Sequence, residues 1–172
     1  MKAILMSIQP KWCELIASGK KTVEVRKTRP KIETPFKVYI YATQGKFKDL
    51  GVIGHSMYLK RQKVIGEFVC NEIECFTTDY RADDKQNERI SKQSCVPMID
   101  LMEYEINVHC LYGWHISNLK IYDMPKEIYE FSKPCDKINA CYLCKWWEKE
   151  VMICTQPPIT RPPQSWCYVE AL

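Results

Sequence analysis

Eight residues, Gly19-Lys20-Lys21-Thr22-Val23-Glu24-Val25-Arg26, set the strongest limit on how this chain folds, because they close one kind of element and open another. Upstream, Pro10 suits the first turn of a helix. Trp12, Leu15 and Ile16 share one face of that helix, and Gly19 supplies the left-handed conformation that ends it. Residues 22–26 then alternate strictly. In a strand, Val23 and Val25 face the core while Thr22, Glu24 and Arg26 share the other side. Neighbours on that side stand roughly 7 Å apart, close enough for Glu24 and Arg26 to flank one small polar ligand in a concave site with Lys21 at its mouth. The same alternation also describes a solvated ion pair on the wet face of an antiparallel strand, and periodicity alone leaves both readings open.

At 172 residues the chain suits one domain spanning 1–172, large enough to build its own core. The balance of 25 basic against 21 acidic side chains gives +4, which excludes a strongly basic nucleic-acid coat and permits a local basic patch. Residues 1–10 hold too short an apolar run for an export signal, and no later run approaches the roughly 18 residues of a membrane span. A soluble, cytoplasmic protein without membrane contact is expected. The ten cysteines are then read as reduced thiols. Within 135–155, Cys135, Cys141, Cys144 and Cys154 offer one zinc-like spacing, between Cys141 and Cys144. The other gaps match no standard pattern and no histidine is near, so neither a metal nor a cofactor is expected.

Along the chain, residues 2–8 read as a buried strand that places Ser7 at its end, and 36–43 as a core strand. Residues 44–63 read as an irregular, partly helical insertion whose basic exit, Lys60, Arg61 and Lys63, either borders a phosphate path or is ordinary solvated loop. In the strand 64–70, Gly66 marks a bulge or the close approach of another backbone, and Glu67 is either edge-exposed or paired in a cleft. Residues 79–94, almost wholly polar and without period, read as a mobile surface excursion carrying no chemistry. Met98, Leu101, Met102 and Glu105 fall at helical spacing within 97–105, with the Met stripe facing the core. The strand 111–123 is ended by Pro125. Its Trp114 and His115 either stack on and hydrogen-bond to a base or form a buried pair of the ordinary kind. One or two helical turns at 126–131 and a final strand after the prolines of 160–170 complete the chain.

The order of these pieces, with Ser7-Ile8-Gln9-Pro10, then Gly19, Lys21, Thr22, Glu24 and Arg26, then Gly113-Trp114-His115-Ile116 and the ending around Ser165-Trp166, resembles the ASCH-domain family across nearly the whole chain. The long form is similar to those of phages and firmicute bacteria, with 44–63, 79–94 and 135–155 as insertions. The resemblance implies an α+β, mostly β fold like the PUA domain, a pseudo-barrel of about six strands with flanking helices. It also implies RNA or a modified nucleoside as ligand, and leaves a protein partner at the insertions open. On it, Ser7, Trp12, Lys21, Thr22, Glu24, Arg26, Glu67, Trp114, Ser165 and Trp166 are candidate binding residues. Trp12 or Trp166 would stack, Glu24 would accept from base N–H groups, and Lys21 and Arg26 would meet phosphate.

Enzymes that the chain resembles remove acetyl from N4-acetylcytidine with a Lys at the position of Lys21, a hydroxyl nucleophile where this chain has Glu24, and a helical carboxylate for which Glu103 and Glu105 both qualify. A carboxylate cannot replace that hydroxyl in acyl transfer without a change of mechanism. Other members cleave RNA. For that reaction the candidate catalytic residues are Lys21 and Arg26 on phosphate charge, with Glu24 or His115 moving a proton.

Overall fold

The computed structural model describes residues 2–45, 60–79, 83–135, 144–150, 153–154 and 156–172. Most of the 44–63 insertion and Cys141 of the cysteine group lie outside the described residues. Strand β1 (Lys2–Ile8) is apolar from Ala3 to Met6 and runs into helix α1 (Pro10–Ala17), which has proline in its first turn. Gly19 follows at φ 74°, and Lys21 N–H reaches back to Leu15 O, so the helix ends as its sequence indicates. Its core face is Pro10, Cys13 and Ile16, and Trp12 is only half-buried at the edge of that face.

After β2 (Val23–Arg26) come β3 (Phe36–Ala42), the long β4 (Lys63–Phe76), helices α2 (Asp84–Ser94) and α3 (Met98–Glu105), the long β5 (Leu111–Lys126) and a 3-10 turn (Ile128–Glu130). A two-stranded ribbon of β6 (Trp147–Glu148) and β7 (Ile153–Cys154) precedes β8 (Trp166–Glu170). The main sheet has the order β2-β5-β4-β3-β1-β8, parallel only between β1 and β3. The α+β, mostly β architecture of about six strands is therefore present.

The ladder does not close, since β2 and β8 are its two edges. In a flat sheet β2 and β1 would lie four strand spacings, about 19 Å, apart. Arg26 Nη2 on β2 nevertheless donates to Ser7 O on β1 at 2.8 Å, so the sheet must curl until its edges nearly meet. A side chain completes what the backbone leaves open.

Three local expectations change. Residues 84–94 form a docked helix. Asp83 caps it, accepting from Lys85 N–H at 3.0 Å and Gln86 N–H at 3.2 Å, and Cys95 at φ 55° ends it. Its buried stripe is Asn87, Ile90 and Ser94, with one apolar residue among them, and the Asn87 amide donates to Thr77 O at 3.0 Å. A hydrogen-bonded polar stripe of this kind leaves no apolar period in the sequence. In α3 the inward face is Leu101 and Glu105, with Met98 half-buried against the same core, whereas Met102 is 47% exposed. Glu105 turns in because its carboxylate accepts from the Thr78 N–H at 2.6 Å and from the Thr78 hydroxyl. Strand β5 passes through Pro125. Its pairing jumps from Gly66 with Ile121 to Val64 with Lys126, and in that irregular stretch no ladder N–H is required of a proline.

Gly66 shows both features expected of it. The register with β3 and β5 shifts beside it, and a Cβ there would stand 2.5 Å from the Lys120 carbonyl oxygen and 3.1 Å from Ile121 Cα. Gly66→Ala is expected to lower stability by roughly 1–3 kcal/mol, the usual cost of overpacking. A urea midpoint equal to that of the wild type would show that the two strands can part there.

Candidate functional site

The end of β1, the start of α1, β2 and α3 enclose a cleft of about 440 Å³. Its charged wall follows from the alternation of β2. Val23 and Val25 pack against Phe76, Ile90, Leu101 and Leu111, which turns Glu24 and Arg26 to the opposite side. Together with Lys21 they line the cleft, and the three are 2%, 6% and 8% exposed for Lys21, Glu24 and Arg26 respectively. Lys21 is thus sunk in the wall and does not stand at the mouth. Its ammonium donates to Ser94 O at 2.6 Å and lies 5.1 Å from the centre of the Trp12 ring.

Glu24 sits between the two cations. Oε1 is 3.0 Å from Arg26 Nη2, and Oε2 is 3.2 Å from Lys21 Nζ. The second contact is ionic without hydrogen-bond alignment, so Glu24 Oε2 makes no hydrogen bond, and neither does Arg26 Nε. Arg26 Nη1 reaches Ser165 Oγ at 3.4 Å. Ser7 also lines the cleft. Its hydroxyl donates to Pro163 O at 2.6 Å and its N–H to Ser165 O at 2.9 Å, which ties the 163–165 strap across the opening.

The structure thus brings together Ser7, Trp12, Lys21, Glu24 and Arg26 around the cleft, with Ser165 touching it through Arg26. The remaining candidates stand elsewhere. Thr22 is exposed and contributes backbone only, donating to Gln93 O and accepting from Ile116 N–H. Trp114 is fully buried against Phe36 and Trp166, with its indole N–H unpartnered. Trp166 packs between Trp114 and Tyr168 and donates to Thr28 Oγ1 at 3.0 Å. Glu67 accepts from the Tyr122 hydroxyl at 2.6 Å and pairs with Lys37. Burial pushes its carboxyl upward, but those partners outweigh it and hold it below the usual range.

His115 belongs to a second polar group. Its Nε2 lies 2.7 Å from Glu74 Oε1, and Glu74 also takes Arg89 Nη1 at 2.9 Å and the Gln86 amide at 3.0 Å. The Arg89 guanidinium above all holds the Glu74 carboxyl down to about 2. This group clamps α2 to β4 and β5. It matters to the cleft indirectly, because α2 ends in the carbonyl that receives Lys21.

Residues not anticipated as part of the site are Gln9, Thr43, Asp100, Tyr104 and Gln164. Gln9 lies inside Ser7-Ile8-Gln9-Pro10, and Gln164 directly precedes Ser165. Asp100 and Tyr104 are four apart on α3, a spacing that puts them on one face. A Met98 and Met102 inward side hides that face, and of the two only Met98 packs inward. Asp100 is therefore the helical carboxylate at the cleft, whereas Glu105 is held by Thr78 and Glu103 is exposed. Burial raises the Tyr104 phenol, which stays protonated and can donate.

The model of the ASCH domain family matches residues 6–134. Among solved structures, the chain is similar to the ASCH protein of Zymomonas mobilis, with TM-score 0.61 and 17% identity over 98% of this chain and 87% of that one. Two mutant forms of the Zymomonas protein match with the same TM-score, at 18% and 16% identity, covering 99% and 98% of this chain and 91% and 88% of theirs. Identities this low speak for the fold alone. No curated protein matches the sequence.

Two outcomes follow from the charge arrangement. Glu24→Ala, which leaves two buried cations without their shared partner, is expected to cost about 3–5 kcal/mol, and Glu24→Gln less, as read by denaturant midpoints. Equal midpoints for wild type and Glu24→Ala would mean that water screens the site. Glu74 has a folded-state value below its ordinary 4.5, so its contribution is present above that pH and is lost as pH falls toward about 2. Acid unfolding of Glu74→Gln should lack this limb, and an unchanged acid profile would dismiss the clamp.

Proposed function

The chain belongs to the ASCH domain family, and from that premise and the geometry of the cleft we propose that it recognises one nucleoside unit, modified or not, either free or carried in RNA. The observation that carries the reading is the enclosure of Lys21, Glu24 and Arg26 on one wall. Three nearly buried charges with a carboxylate oxygen and a guanidinium N–H left unbonded are a costly way to fill a core and an ordinary way to read a polar ligand. The volume suits a ligand of nucleoside size. Both atoms are closed to water in the free cleft, so binding goes with a small side-chain shift that lets Glu24 Oε2 accept from an amino or imino group of the base and Arg26 Nε donate to a carbonyl or ring nitrogen. Trp12 and Tyr104 supply ring faces, with the Lys11 ammonium, 4.8 Å from the Trp12 ring centre, displaced when a base stacks there.

On this reading residues 1–172 act as one unit. Strand β8 lies beyond the family match yet pairs with β1 in the main sheet, which supports it. No helix among the described residues is long and apolar enough to cross a membrane.

The hydrolase reading shares the same cleft. Acyl transfer requires an activated hydroxyl where the chain carries Glu24, and the nearby Ser7 hydroxyl already gives its proton to Pro163 O. Binding without deacetylation is the expectation. Calorimetry over a nucleoside panel that includes N4-acetylcytidine, with single-stranded RNA alongside, should detect a ligand for the wild type. The loss in Glu24→Gln should be about 1.5–3 kcal/mol, that of a hydrogen bond to a charged group. Robust turnover of N4-acetylcytidine, abolished in Arg26→Ala, would replace this reading with the hydrolase one. Absence of any ligand would remove it.

A further inference from the structure

We infer that the loop 27–31 is a second contact surface, over which a single-stranded nucleic acid passes when one of its bases occupies the cleft; this rests on the nucleoside reading of that cleft. The loop leaves Arg26 directly and carries Lys27, Arg29 and Lys31 at alternate positions with no carboxylate among them. For a chain whose net charge is only +4, three cations in five residues concentrate most of that excess in one place. The first stands on the rim. Lys27 Nζ lies 5.0 Å from the centre of the Tyr104 ring and donates to Ile106 O at 3.2 Å, and Tyr104 lines the cleft.

Beyond Lys27 the backbone is pinned from below. Thr28 Oγ1 accepts from the Trp166 indole, Lys31 N–H donates to the Tyr168 hydroxyl at 2.7 Å, and Pro30 is buried. Arg29 and Lys31 are exposed, and among the described residues neither enters an ion pair. An anchored backbone that presents cations without counter-charges loses little entropy when phosphates bind.

The partner's class follows from shape. A cleft of about 440 Å³ admits one nucleoside, so the adjoining sugar–phosphate units of a strand must lie outside it. A base can enter only if it is unpaired and unstacked, which selects a single strand over a duplex. Lys27 on the rim, and the two exposed cations that follow it in the loop, offer a path for the phosphates that lie outside.

The test compares wild type with an Arg29→Ser, Lys31→Ser double variant, neither position being part of the cleft. Anisotropy would follow a fluorescein-labelled, random-sequence, single-stranded RNA oligomer, with calorimetry on the nucleoside panel in parallel. The double variant should lose about tenfold or more in oligomer affinity, and its slope of log affinity against log salt should fall by about two, while nucleoside affinity stays unchanged. Unchanged oligomer affinity, a nucleoside that binds as tightly as the oligomer, or full displacement of the oligomer by oligoglutamate would each overturn the inference. If nucleosides bind and the oligomer does not, only the loop surface fails. If neither binds, the cleft reading fails and takes the surface with it.

Discussion

The Arg26 guanidinium is the contact on which the remaining architecture depends. It lies on the edge strand β2, pairs with Glu24, donates to the Ser7 carbonyl near the end of β1, and reaches Ser165 just before β8. Those partners come from both ends of the sheet order, so one planar group holds the curl that turns an open sheet into a half-closed vessel. Arginine suits the position, since its donors point in several fixed directions. Its burial would be expensive without Glu24, and the burial of Glu24 would be expensive without Lys21. The cleft is thus a chain of mutual compensation, with its outermost link at the carbonyl end of α2.

Two polar networks sit within this small fold and do different work. The one around Glu74, His115 and Arg89 is saturated: each carboxylate oxygen has a donor, and its effect is to dock a helix. The one around Glu24 is unsaturated, with acceptor and donor atoms left over and a cavity beside them. The two clusters differ in saturation and not in residue type, because both contain a Glu and an Arg.

Much of the centre of the site was legible in the amino-acid order. The alternation of Val23, Glu24, Val25 and Arg26 gave the sidedness of β2, Gly19 its entry, and Gly66 the crowding between β4 and β5. What escaped in the helices shares one physical cause, the use of polar groups as core. Helix α2 buries Asn87 and Ser94 around a lone Ile90, and α3 buries Glu105 while exposing Met102. Patterns of apolar spacing cannot see such faces. The aromatic candidates divided for a related reason. Trp12 lines the cleft because it lies at the edge of its helix's inner face, whereas Trp114 and Trp166 serve the aromatic core.

The strap that crosses the cleft carries a consequence for the order in which the protein takes shape. Ser7 and Pro163 are 156 residues apart, and Arg26 and Ser165 are 139 apart. Contacts of such separation bear some of the largest loop-closure entropies in the chain, so local hairpins such as β4 with β5 gain their bonds at far smaller entropic cost. During synthesis from the N-terminus, Ser7 and Arg26 wait through most of the chain's emergence for their partners, with one of the most charged stretches of the molecule unclosed. A chain that stopped short of residue 163 would possess Lys21, Glu24 and Arg26 and still lack the strap that crosses their cleft.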